Sequence, residues 1–214
     1  MAQSGDAGAP GFRATLLKVA WLSILLGLGV QALSMAVALG HGNALVPDKA
    51  VADALSRVSW ATLVCVGVAA GMTASGGAPA MSGLAGLVAA PIAFGTAKGV
   101  QQSVGTMLGV GAAGNVAVAT LAVIAAIKAV EYGCLGLAVG WVERQRWGGL
   151  AAYLGIGLCI GLVFGSAIWA VSPTGAIKPA SAALMTWAVN EVLFPAGCAA
   201  VLFGSNVIGK RLAG

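Results

Sequence analysis

Charge is what this sequence has least of. Only 8% of its 214 residues are Asp, Glu, Lys or Arg, where a soluble domain carries roughly a quarter. So few charges cannot cover a water-facing surface, which excludes an ordinary globular protein and makes lipid the solvent. Histidine is nearly missing too: the single one, His41, falls in a predicted outer loop. Metal and haem sites need clusters of His, Cys or carboxylate, so neither a metal nor another cofactor is predicted. Cys65, Cys134, Cys159 and Cys198 form no C-x-x-C pair and lie within apolar runs, as small buried packing residues do. Ser75 beside Gly76 superficially suggests a hydrolytic serine, but the chain has no intramembrane His to act as its base. A Gly-rich phosphate loop followed by Lys and an acidic Mg²⁺ cluster are both lacking. An enzyme is therefore not expected. Without an arginine-rich or aromatic-interleaved patch, nucleic acid is not an expected partner either.

What the chain has in quantity is apolar length. Its mean hydropathy is +0.97, and the charge-free runs are too long for a globular core, since one helix crosses the hydrocarbon in about 20 residues. They predict an all-α, polytopic transmembrane helix bundle of about six spans, forming one integral membrane domain over 1–214. The spans fall at about 19–40, 58–75, 79–97, 122–142, 149–171 and 186–206. The second and third are separated by the turn-forming cluster Ser75-Gly76-Gly77-Ala78-Pro79. The fourth is placed by an internal similarity: the stretch from Gly133-Cys134 to Gly140 reappears from Gly197-Cys198 to Gly204, with Arg146 and Lys210 at the same distance beyond. That register leaves 101–115 as a re-entrant or amphipathic piece. Residues 1–12 are predicted disordered, and the outer loop from His41 to Ala54 is the longest connection. The first apolar segment lacks a cleavage pattern and is read as a retained helix.

Lys and Arg of short loops stay on the cytoplasmic side. Arg13, Lys18, Arg144, Arg146, Lys210 and Arg211 share one side of a six-span topology, against Lys49, Arg57, Lys98 and Lys178 on the other. Both ends are thus predicted cytoplasmic, in a bacterial-type inner (cytoplasmic) membrane, and anionic lipid headgroups are the natural partners of the net charge of +5. Trp21, Trp141 and Trp147 are predicted at the inner edge and Trp60, Trp169 and Trp187 near the outer one.

Small residues at helical spacing, Gly67 with Gly71, Gly136 with Gly140, Gly161 with Gly165 and Ala32 with Ala36, let helices approach closely in lipid. Spacing alone leaves open whether they serve packing within the chain, a homo-oligomer, or other membrane subunits. The most informative residues are charges inside predicted spans, each costing at least ~2.5 kcal/mol to insert: Lys128, Glu131 and Glu191. In the register of the two Gly-Cys strings, Lys128 and Glu191 lie at nearly equal depth with Glu131 one turn from Lys128, so one cation serves two carboxylates. Asn190 adds an amide, and Pro195 is expected to break the sixth helix and free a carbonyl near Glu191. Two readings of this group stay open, a buried ion pair locking two helices and a solute or ion site. The function expected is binding or passage of a small solute or ion through the bundle. Its rival is a non-catalytic subunit or assembly protein packing through Gly and Ala faces.

Overall fold

The structure is a computed structural model that describes residues 9–76, 78–110, 117–171 and 181–212, and the regular structure in them is entirely helical. Five spans are single helices: α1 (Ala9–Gly40), α2 (Pro47–Ala74), α3 (Pro79–Met107), α4 (Val118–Val142) and α5 (Leu150–Val171). The sixth joins α6 (Ser181–Trp187), a π-helical turn (Ala188–Leu193) and α7 (Phe194–Leu212) without a gap. Six helical stretches are long and apolar enough to cross a bilayer, with mean hydropathies from 1.4 to 2.2. The protein is a multi-pass integral membrane protein built as an all-α, six-helix bundle.

The helices outrun the apolar segments that announce them. Hydropathy marks the part of a helix that lies in hydrocarbon, whereas a helix ends where its backbone hydrogen bonds stop. α2 starts at Pro47, not near 58, because proline's fixed φ and missing N–H suit a first turn; Asp48 in that turn complements the positive end of the helix. The connection expected over 41–54 accordingly shrinks to 41–46. α3 continues past 97 to Met107 and ends before Gly109, which takes the left-handed φ of 70° that glycine tolerates. Residues 101–107 are thus the last turns of α3 and not a separate re-entrant or amphipathic piece, while 111–115 of that segment lie outside the described residues. Residues 9–12, expected to be disordered, belong to the first turn of α1; 1–8 lie outside the described residues.

Small residues set the close contacts. A methyl added at Gly67 or Gly71 of α2 would collide with Ala89 or Ala85 of α3. On the other side of α3, Gly86 lies against the Tyr132 carbonyl of α4, and Gly136 of α4 lies against that of Ser82. α5 meets the sixth span through Gly157, Gly161 and Gly165; a Cβ at Gly161 would stand 2.7 Å from the Glu191 carbonyl oxygen and 2.8 Å from that of Val192. The three glycine pairs singled out in the sequence therefore serve packing within the chain, and Ala32 with Ala36 remains exposed on α1.

Neighbours in sequence run antiparallel, and α2, α4 and the sixth span run parallel. Arg57 meets Asn190 and Cys65 meets Cys198, each pair 133 positions apart. Lys128 meets Glu191 and Glu143 meets Asn206, each pair 63 apart. The last two contacts hold α4 and the sixth span in a register that places Lys128 and Glu191 at equal depth. The sixth span is the most enclosed, with 56% of its most apolar 18-residue stretch buried against 22% in α1 and α5. Between these helices the core gathers Val19, Val64, Val68, Tyr132, Leu135, Cys198 and Leu202.

Candidate functional site

Four charged residues meet at one level of the bundle. Counted from the helix ends at Pro47, Met107, Val118 and Ser181, residues Arg57, Lys98, Lys128 and Glu191 each lie nine or ten positions in. At 1.5 Å per residue that is about 15 Å from this end of the helices; Arg57 and Lys98 border the apolar segments 58–75 and 79–97, and Lys128 and Glu191 lie inside theirs. The Lys128 Nζ lies 2.8 Å from Glu131 Oε2 and 2.6 Å from Glu191 Oε2, so one ammonium holds both carboxylates. Glu131 is fully buried and the Lys128 side chain is 7% exposed, but that of Glu191 is 19% exposed. The triad is graded from a sealed end at Glu131 to an accessible one at Glu191. Lys128 also stands 5.9 Å from the Trp60 ring centre and 5.8 Å from that of Tyr132, within the range of cation–π attraction.

Glu191 faces a cavity of about 200 Å³ lined by Ser56, Arg57, Trp60, Phe94, Ala97, Lys98, Lys128, Asn190 and Phe194 as well. The Arg57 guanidinium donates through Nη1 to Asn190 Oδ1, tying α2 to the π-helical turn. Lys98 donates to Gln101 Oε1 at 3.3 Å, and Gln101 in turn donates through Nε2 to Asp53 Oδ1 at 2.7 Å. Trp60 is the hub of the aromatic wall, with ring centres 5.5 Å from Tyr132, 6.3 Å from Phe194 and 6.4 Å from Phe94.

The backbone beside the site departs from an α-helix for a readable reason. Pro195 has no N–H to donate to the Glu191 carbonyl four residues back. The chain does not break there, as the sequence suggested; it stays helical and widens into the π-helical turn 188–193 that carries Asn190 and Glu191. The wider turn presses the Glu191 and Val192 carbonyls toward α5, and only glycine at 161 leaves room for them. Wide turns of this kind are frequent at functional sites.

Lys128, Glu131, Asn190 and Glu191 come together, and Pro195 lies on the adjoining turn. Sequence reasoning missed Arg57, Lys98 and the aromatic wall. Arg57 and Lys98 read as outer-side loop cations and Trp60 as an interfacial ring, because α2 and α3 were drawn too short. The signal was present: Pro47-Asp48 is a helix-start pattern, and a helix begun there carries Arg57 nearly three turns inward. Among the described residues no three of His, Cys, Asp and Glu converge as a metal would require. Set against known proteins, the chain matches no family model, no curated protein and no solved structure.

Proposed function

We propose that this membrane protein binds a small solute in the cavity and passes it through the bundle, with Lys128, Glu131 and Glu191 as the charged part of the path. The observation that supports the reading is the position of the triad. A buried ion triad whose sole task is to lock helices together gains nothing from an adjoining cavity, which admits water and weakens its attraction. Here the accessible end of the triad, Glu191, opens on such a cavity, alongside further polar groups on two other elements. Charges at this depth persist when partnered or facing a wet space, and this triad has both. The π-helical turn that carries Asn190 and Glu191 adds a departure from regular helix of a kind frequent at functional sites.

The protein then acts without catalysis in a cytoplasmic membrane, with both ends inside. The rival reading, a subunit that packs against other membrane proteins, loses the three glycine pairs that pack within the chain but keeps Gly95 and Gly99 of α3, which are exposed. It retains the exposed α1 face around Ala32 and Ala36.

Native mass spectrometry from lipid nanodiscs tests the proposal. A defined small molecule should be released from the wild-type protein and be missing from the Lys128→Met/Glu131→Gln/Glu191→Gln variant, provided the variant elutes unchanged. Equal ligand content in both would remove the triad from the path. Steady co-purification of other membrane subunits without a ligand would transfer the case to the packing reading.

A further inference from the structure

On the reading that the cavity is a solute site, we infer that its solute is a small organic carboxylate with a flat apolar body. The argument starts from which charges already have partners. Glu131 and Glu191 are both held by Lys128, and Asp53, off the wall, accepts a hydrogen bond from the Gln101 amide. Each carboxylate of the cluster is thus within reach of a donor, with Glu131 and Glu191 sharing one ammonium. Among the described residues, two of the three wall cations have no carboxylate within ion-pair distance: the Arg57 guanidinium is tied to the neutral Asn190 amide, and Lys98 to the neutral Gln101 amide at a long 3.3 Å.

A guanidinium has five N–H donors in a planar fork that matches a carboxylate, and an ammonium has three. Among the described residues, Arg57 and Lys98 therefore keep donors free at the cavity. An incoming carboxylate supplies the missing acceptor to both. On the cavity wall itself a cationic solute meets three positive side chains and one carboxylate, Glu191, that Lys128 already holds. An amino-acid zwitterion gains the carboxylate contacts but needs a second acceptor for its ammonium, and Glu191 is engaged at 2.6 Å.

The rest of the wall sets the body of the molecule. Trp60, Phe94 and Phe194 form a continuous aromatic surface next to the two cations, which favours a planar apolar group over a second charge or a bare inorganic anion. A cavity of about 200 Å³ keeps that group small. Asp53 lies one helical turn before Arg57 and is the nearest competitor for it; a bound carboxylate must do better than that side chain swinging over.

Calorimetric titration of the nanodisc-embedded protein with benzoate, benzamide and benzylamine tests the inference, because the three share a ring and differ in charge. Benzoate should bind at least ten-fold more tightly than either analogue. Lys98→Gln and Arg57→Gln should each weaken benzoate about ten-fold while leaving benzamide unchanged. Lys98→Gln carries the test if Arg57→Gln misfolds, since Lys98 is only partly buried and has a single amide partner. Benzamide or benzylamine binding as tightly as benzoate would overturn the inference and leave the cavity a solute site of another class. Benzoate binding that ignores both substitutions would overturn it too. Failure of all three probes would overturn it while the native mass spectrum decides separately whether any solute is carried.

Discussion

At the scale of single residues, the energetics of this protein turn on one lysine. Lys128 is the shared partner of Glu131 and Glu191, and Glu131 Oε1 and the Tyr132 hydroxyl are buried without a hydrogen-bond partner among the described residues. Removing the lysine alone strands two carboxylates, one of them sealed from solvent. Lys128→Met should therefore destabilise the fold by about 3–5 kcal/mol, the cost typical of breaking a buried ion pair. Neutralising all three residues at once leaves no stranded charge and should cost less than the single substitution. Unfolding in a common detergent measures both. A triple variant no more stable than Lys128→Met would mean that the three side chains do not act as one unit.

Between elements, glycine decides how close the helices come. At Gly86 a methyl group would overlap the Tyr132 carbonyl, so α3 and α4 must separate to accept it. Gly86→Ala is expected to lower stability by about 1–3 kcal/mol, as overpacking does. Gly29 on α1 has nothing within 4 Å of such a methyl, and Gly29→Ala should change stability by less than about 0.5 kcal/mol. Thermal midpoints of the two variants in one detergent make the comparison. The opposite order would mean that the α1 face serves a partner outside the chain. The same packing logic explains why the sixth span was only half legible. Pro195 marked a disturbance near Glu191, but proline is compatible with a kink, a break or a widened turn. The choice of a π-helical turn came from α5, whose Gly161 and Gly157 accept the displaced backbone.

For the molecule as a whole, the distribution of Lys and Arg predicts that both ends and the 143–149 connection face the cytoplasm. On a background with the four native cysteines replaced, His41→Cys should react with an impermeant maleimide applied to intact cells, and Arg146→Cys only after lysis. Both positions are exposed at opposite ends of the bundle. Reversed labelling would invert the topology and turn the cavity end toward the cytoplasm.

The sequence by itself determined the solvent, the helical class, the number of spans and the pairing of Lys128 with two carboxylates. These follow from local composition, from the length a bilayer demands, and from a repeated Gly-Cys string that aligned two parallel helices. Only the tertiary structure decided that Arg57, Lys98 and Trp60 share a cavity with that triad. Their positions depend on where α2 and α3 end and on which face each turns inward. Helix ends lying beyond the hydrophobic segment leave no trace in hydropathy, and in lipid a helix's inward face is set by small residues that look alike until their neighbours are known.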